Sequence, residues 1–405
     1  MANTGLKDVL SIGRQARQKL YSLQPELITP PVPEELCLEI DCRISSDGSW
    51  LTQLTENRLD DLVDRIKALD VQAVAVNLLF SFRDDAAEQL IRQKLPDDLF
   101  VSLSSQVLSE IGEYERGMAT WLNAWVGPLI QGYVDRLRLG LKLSRLSVMQ
   151  SSGETMDAGQ DASQAVRMLL SGPAGGLVGA QFVAAKSSQY RLMTFDMGGT
   201  STDVALIDAA GGIQLTNRGH IGRYPVAVPM VDMHTIGAGG GSIASLDGGG
   251  MLQVGPQSAG AKPGPACYAQ GGNRPTVTDA NLILGRIPEN TLLGGYLPLD
   301  KKRSVEVVQQ LALTMGVTLD QAARGIIDIA NEHMARALRV ISVQKGYDPT
   351  DFTLVSFGGA GGMHVCALAD DLQMKSALVP VHAGVLSALG MLATRPGRRL
   401  SRTLI

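Results

Sequence analysis

The sequence predicts an α/β fold built on mainly parallel sheets, and three observations carry that expectation. Apolar, β-branched runs of strand length alternate with amphipathic helical stretches along most of the chain. Two such runs, 192–196 and 204–208, flank a turn rich in glycine, hydroxyl and carboxylate groups. The 45 glycines among 405 residues, about 11% where ~7% is usual, cluster at 172–179, 197–199, 237–250, 255–272 and 358–362. Glycine clustered between apolar runs marks tight turns, or backbone brought close to a ligand.

Taken in order, the first 50 residues are poorly patterned, and Thr29-Pro30-Pro31-Val32-Pro33 reads as an extended connector. Leu59, Leu62, Val63, Ile66 and Leu69 fall on one helical face. Residues 71–80 make an apolar run long enough for a buried strand. Then 84–94 reads as helix, 99–103 as strand, 114–141 as one or two helices, and 146–150 as a short strand. Further on come a strand at 192–196, a turn at 197–203, a second strand at 204–208 and a third at 213–216. A Gly-rich insertion spans 217–300. Beyond it Ala323, Ile326, Ala330, Met334, Leu338 and Ile341 trace a helical stripe, with Gly346 and Pro349 as stop signals. Strand 352–357, helix 363–372, strand 376–379 and helix 385–392 complete the series.

Three strands in a meander, then alternating helix and strand, is the order of a ribonuclease-H-like domain. The expected organisation is therefore a connector and partial N-terminal region over 1–50, and the remainder of a first such domain over 51–190 without its opening meander. A second domain then runs over 191–400 and carries the insertion 217–300.

Composition narrows the function. Charged residues make up 19%, apolar residues 45%, and the formal net charge is −4, so neither nucleic acid nor an anionic membrane surface is an expected partner. No apolar run has transmembrane length and no signal-peptide pattern opens the chain. Cys37, Cys42, Cys267 and Cys366 are too scattered for a disulfide framework, which points to the cytoplasm.

The chemistry concentrates in Asp196-Met197-Gly198-Gly199-Thr200-Ser201-Thr202-Asp203. Glycine lets backbone N–H groups face an anion, and Thr200, Ser201 and Thr202 add hydroxyl donors. Asp196, at a strand end, is placed to hold Mg²⁺, which prefers a carboxylate plus phosphate oxygens. A solvated turn would use the same glycines, but this aspartate-flanked pattern between two apolar strands is uncommon. About 160 residues later, Ser356-Phe357-Gly358-Gly359-Ala360-Gly361-Gly362-Met363-His364 again ends a strand and opens a helix. Its glycines suit a flat adenine or ribose lying on the backbone, so the two segments together predict an ATP site. His364 reads either as a ligand contact or as a structural histidine.

These motifs resemble the hydantoinase A/5-oxoprolinase family of the actin-like ATPase superfamily. The resemblance rests on Thr194-Phe195-Asp196 through Asp203, on His234-Thr235-Ile236-Gly237-Ala238-Gly239-Gly240-Gly241-Ser242, and on Gly264-Pro265-Ala266-Cys267-Tyr268. It extends through Pro275-Thr276-Val277-Thr278-Asp279-Ala280-Asn281, Ser171-Gly172-Pro173-Ala174-Gly175-Gly176 and Phe357 to Gly362. It implies ATP- and Mg²⁺-dependent opening of a cyclic amide such as 5-oxoproline or a hydantoin, by phosphorylation of the carbonyl oxygen. It assigns Asp196 and Asp203 to catalysis, and Gly198, Gly199, Thr200, Ser201, Thr202, Gly358, Gly359, Ala360 and Gly361 to nucleotide binding. A hydantoinase B-type partner subunit and an oligomer are expected with it. Ketone carboxylation, as in related enzymes, and a non-catalytic nucleotide-binding or assembly module are the alternatives.

Two further expectations follow. Asp232, His234 and Cys267 in the insertion offer ligands suited to Zn²⁺ or another transition metal, or else are ordinary hydrogen-bonded loop residues. Residues 1–190 hold no second Asp-x-Gly-Gly-Thr hairpin, so the chain reads as a fragment that hydrolyses nucleotide weakly or not at all by itself.

Overall fold

The computed structural model describes residues 1–15, 21–24, 29–141, 146–158, 162–210, 212–397 and 403. The chain parts into two compact units, Met1–Ser171 with Thr216–Met230 and a piece from Arg395 onward, and Gly172–Leu215 with Val231–Thr394.

In the first unit the principal elements are α1 (Glu56–Ala68), β1 (Ala73–Val76), α2 (Ala86–Lys94), β2 (Phe100–Leu103) and α3 (Glu113–Leu141). Leu59, Leu62, Val63 and Ile66 of α1 are buried, as their spacing requires. β1 and β2 pair in parallel. The strand expected over 71–80 is shorter: after Val76 only Asn77 bridges, to Ala2, and the chain then turns at 79–80 with Phe80 in the left-handed region at φ +59°. The stretch 114–141 is one helix with Pro128 inside it. The opening 50 residues are more than a connector: Glu39–Ile40 pairs in parallel with Ala2–Asn3, and Ile40, Cys42 and Ile44 sit in this unit's core. Also fully buried are Glu88 and Arg116. Glu88 accepts from Leu78 N–H at 3.0 Å, Ser104 Oγ at 2.6 Å and Ser105 Oγ at 2.7 Å, which makes its burial tolerable.

The second unit opens with α4 (Ser171–Ala185), followed by β3 (Leu192–Met197), β4 (Thr202–Asp208), β5 (Gly212–Ile213) and β6 (Met233–Ile236). The hairpin β7 (Ser242–Leu246) and β8 (Leu252–Ser258) comes next, then α5 (Val277–Ile283), α6 (Lys301–Met315) and α7 (Leu319–Ile341). β9 (Thr353–Phe357), α8 (Val365–Asp371), β10 (Ser376–Leu378) and α9 (Leu386–Ala393) complete it. The sheet runs β5-β4-β3-β9-β10, the first three antiparallel and the last two parallel, which is the ribonuclease-H-like order. Strand alternation sorts the sheet's two faces. Met193, Phe195, Met197, Val204, Leu206 and Leu354 pack on one side with the α7 stripe of Ile326, Ile327, Met334 and Leu338. Leu192, Ala205, Ile207, Val355 and Phe357 face the other way, onto Ala174, Leu177 and Ala180 of α4 and Leu386 of α9. That packing is why α4 goes with the second unit and the boundary falls near 171 instead of 190.

The third strand departs from expectation. Only Gly212–Ile213 pairs with the upper part of β4, at Ile207 and Asp208. Residues 202–205 pair instead with β6, so the chain that follows 217 returns into the central sheet. No helix among the described residues is long and apolar enough to cross a membrane.

Ile326 is fully buried at the centre of the α7 face. Ile326→Ala is expected to cost about 2–5 kcal/mol through lost burial and the cavity left behind. Chemical denaturation of the purified chain measures it.

Candidate functional site

β3 and β4 form a tight hairpin in which Met197 faces Thr202 and Asp196 faces Asp203. The period of two sends both aspartates to the same face, opposite each other at the end of the ladder. Each is half-buried. Burial raises the Asp196 carboxyl to about 6, with the Asp203 charge as the second push. Burial also raises Asp203, against a hydrogen bond from Thr235 Oγ1 to Asp203 Oδ1 at 2.6 Å. Thr235 lies on β6 directly across from Asp203, which fixes that contact through strand register.

Between the aspartates the turn closes with Gly198 N–H donating to Ser201 O at 3.0 Å. Gly199 and Thr200 are exposed, Ser201 is half-buried, and Thr202 is buried with its hydroxyl on the Ala238 carbonyl. The glycine run after β6 lies along this turn. Gly240 N–H donates to Gly198 O at 3.0 Å and Gly241 N–H to Gly199 O at 2.7 Å. A Cβ on Gly239 would stand 2.7 Å from Thr200 N, so the two backbones can approach this closely only with glycine there.

The other side of the site comes from β9. Phe357 pairs with Asp196, so the chain leaving β9 passes beside that carboxylate. Gly358 has φ +81°, and a Cβ there would collide with Asp196 Oδ1 and the Met197 carbonyl. Ala360 N–H donates to Met197 O at 3.0 Å, while Gly359 is exposed and Gly361 is buried against Phe195. Three glycine loops distant in sequence thus meet at one end of the sheet.

The other candidates fall elsewhere. Asp232 pairs with Lys345 Nζ at 2.5 Å. His234 stands in the β4–β6 ladder across from Val204. Cys267 is fully buried with Leu282 and Ile287, its thiol pushed up first by burial and then by the Asp279 charge. The structure does not gather the three, and no group of three or more His, Cys, Asp or Glu side chains that could hold a metal occurs among the described residues. The transition-metal expectation is corrected accordingly: ladder register, an ion pair and apolar packing each claim one of its ligands. His364 is fully buried and structural, its pKa lowered to about 4 by burial and then by Arg286. Its Nδ1 meets Asn331 Oδ1 at 2.7 Å, and its Nε2 lies 3.3 Å from Asn281 Nδ2. Thr235 carries no role in the sequence pattern, because its contact with Asp203 depends on the β4–β6 pairing, which no local pattern states.

Residues 116–399 match the family model described as hydantoinase/oxoprolinase, and 1–97 match its N-terminal region. The chain belongs to the hydantoinase/oxoprolinase family. Among family relatives, it is 39% identical over 371 residues to caprolactamase subunit alpha of Pseudomonas jessenii, covering 89% of this chain and 53% of that one. It is 33% identical to the acetophenone carboxylase gamma subunit of Aromatoleum aromaticum, over 96% of this chain and 56% of the other. The 5-oxoprolinase of Saccharomyces cerevisiae is 32% identical over 96% of this chain and 33% of its own length. The chain thus spans about half the length of the first two relatives and a third of the last. Solved structures agree: the ATP-dependent caprolactamase of Pseudomonas jessenii matches with TM-score 0.80 at 35% identity, over 96% of this chain and 58% of that one. Nucleotide-free acetone carboxylase matches with TM-score 0.81 at 26% identity, over 97% and 58%.

The raised Asp196 carboxyl makes a pH prediction. Its folded value of about 6 lies above the ordinary 3.8, so between these values the folded chain holds a proton that the unfolded chain has lost. Stability from this group therefore falls as pH rises through the window. Asp196→Asn removes the penalty, so the variant's melting temperature should exceed the parent's by a margin that grows from pH 4 to pH 7. Melting curves across that range, without nucleotide or divalent cation, check it.

Proposed function

We propose that the hairpin from Asp196 to Asp203 and the loop from Gly358 to Gly361 bind Mg²⁺·ATP, and that the family reaction of this protein is ATP-dependent opening of a cyclic amide. The observation that carries this reading is the meeting of three glycine loops around a pair of facing carboxylates at the end of β3 and β4. Gly199 and Thr200 are exposed, and their backbone amides and the Thr200 hydroxyl are donors of the kind that suits phosphate oxygens. Gly359 and Ala360 suit the nucleoside, lying on backbone from which Cβ atoms are largely absent.

The donor set also fits a hard divalent cation. Asp196 is raised by burial and by a neighbouring negative charge with no hydrogen bond offsetting either, and a cation would relieve that repulsion. Asp196 would hold Mg²⁺, which supplies charge neutralisation to the transferring phosphoryl group when bound. Asp203, held at Oδ1 by Thr235, keeps Oδ2 available to accept a proton from a water near the γ-phosphate.

The amide carbonyl is a poor electrophile because resonance shares its π density with nitrogen. Transfer of the γ-phosphoryl to the carbonyl oxygen forms a new P–O bond as the bond to the β-phosphate oxygen breaks, releasing ADP. Water then adds at the activated carbon, and the ring C–N bond breaks with a proton passing to nitrogen to leave an acyl phosphate. A second water hydrolyses that acyl phosphate to carboxylate and inorganic phosphate. Caprolactamase and 5-oxoprolinase among the relatives favour this reading. A second reading, phosphorylation of a ketone enolate for carboxylation, is favoured by the acetophenone carboxylase subunit and the acetone carboxylase structure. Relatives named as subunits support a partner subunit within an oligomer. Four free cysteines fit a reducing cytoplasm.

Calorimetric titration with a non-hydrolysable ATP analogue tests the nucleotide reading. Binding strengthened at least tenfold by Mg²⁺ is expected, and Asp196→Asn should lose that enhancement; no heat at millimolar analogue would sink the proposal. Hydrolysis by this chain alone should be weak, because residues 1–190 contain no second hairpin of the Asp-x-Gly-Gly-Thr kind. Robust Mg²⁺-dependent turnover that Asp196→Asn abolishes would contradict that. For the substrate, ATP consumption by the protein with lactams and hydantoins, but not with ketones plus bicarbonate, is the expected pattern.

A further inference from the structure

Helix α5 reaches both nucleotide loops from behind. Thr278 donates twice to the Gly240 carbonyl, from N–H at 2.7 Å and from Oγ1 at 2.8 Å. Gly240 and Gly241 in turn donate to the carbonyls of Gly198 and Gly199. In a planar trans peptide the C=O of one residue and the N–H of the next point in opposite directions. Holding the Gly198 and Gly199 carbonyls toward the 240–241 turn therefore points the Gly199 and Thr200 amides away from it. Gly199 and Thr200 are the exposed residues at the tip of the turn.

Three residues along the same helix, Asn281 is fully buried and its Nδ2 meets His364 Nε2 at 3.3 Å. Asn331 Oδ1 sits on Nδ1, which makes Nδ1 the donor and leaves Nε2 to accept from Asn281. His364 N–H donates to Gly361 O at 3.0 Å, so this contact ties α5 to the loop after β9. The helix itself is fixed by Asp279, fully buried, which accepts from Thr276 N–H at 3.1 Å, Thr276 Oγ1 at 2.7 Å, Cys267 N–H at 2.9 Å and Ser304 Oγ at 2.6 Å. A carboxylate so saturated has no capacity left for a ligand and serves as an anchor.

We propose that Thr278 and Asn281 are positioning residues: α5 of the insertion locks the phosphate hairpin, through Gly240, and the nucleoside loop, through His364, into one fixed arrangement. This rests on the reading that those loops bind nucleotide, and the test separates the two ideas. In the ligand-free chain, Thr278→Val should speed hydrogen exchange of the Gly240 and Gly241 amides about fivefold to tenfold while the α7 amides are unchanged. In titrations with Mg²⁺ and the non-hydrolysable ATP analogue, the same variant should bind about fivefold to tenfold more weakly, yet bind adenosine as the parent does. Thr278→Ser should restore both. Asn281→Leu should weaken adenosine and the analogue alike, without speeding exchange at Gly240 and Gly241. Unchanged exchange at those two amides in Thr278→Val overturns the proposal, as does a Thr278→Val loss that is equal for adenosine and the analogue. If the parent binds no nucleotide, the nucleotide reading falls and the exchange result still decides whether the lock exists.

Discussion

Two carboxylates facing each other across an antiparallel pair are an unfavourable arrangement, and the site is organised around it. Asp196 and Asp203 occupy opposed positions at the end of β3 and β4, where strand register leaves neither free to move away. Half-burial and mutual repulsion hold Asp196 at about 6, near neutrality for a carboxylate. A fold that keeps such a pair accepts a stability cost at physiological pH that a cation or a proton removes. Strained electrostatics of this kind is an ordinary mark of a binding site. Gly358 passes beside Asp196 without a side chain, and Thr235 secures Asp203 from β6.

How much of this was legible in the sequence depends on the distance over which each signal acts. The hairpin could be read because its information is local: alternating apolar residues give the strands, two glycines give the turn, and the aspartates mark its limits. The α7 stripe was legible for the same reason, its period of 3.6 surviving over 23 residues. The third strand was not, because Leu215–Thr216 carry apolar character but pair away from β4, while β6 arrives from the far side of a loop. No local pattern states which of two short segments will pair with a given edge.

The ligand trio failed for a related reason. Asp232, His234 and Cys267 have suitable chemistry, but spacing along an irregular loop does not fix distance in space. Lys345 takes Asp232, and Cys267 goes to an apolar cluster with Leu282 and Ile287. The Gly239-Gly240-Gly241 run turns, and the amides of Gly240 and Gly241 are spent on the carbonyls of Gly198 and Gly199. Thr278 and Asn281 stand in the 275–281 motif of the family resemblance, but nothing local gives them a role, since their partners lie 38 and 83 residues away.

The insertion can be understood as the counterpart of that dependence. A hairpin tip of exposed glycine has high conformational entropy, and ordering it at the moment of phosphate binding would weaken that binding. Backbone bonds from Gly240 and Gly241 order it beforehand, and the buried Asp279 anchors the helix behind them. Pre-organisation of this sort is indifferent to what receives the phosphoryl group. Under the proposed function the same support would serve lactam opening and ketone activation equally well, since in either scheme phosphate is placed on a carbon-bound oxygen. Substrate choice would then fall to groups outside this lock, with the hairpin, the 240–241 turn and α5 constraining only the nucleotide half of the proposed reaction.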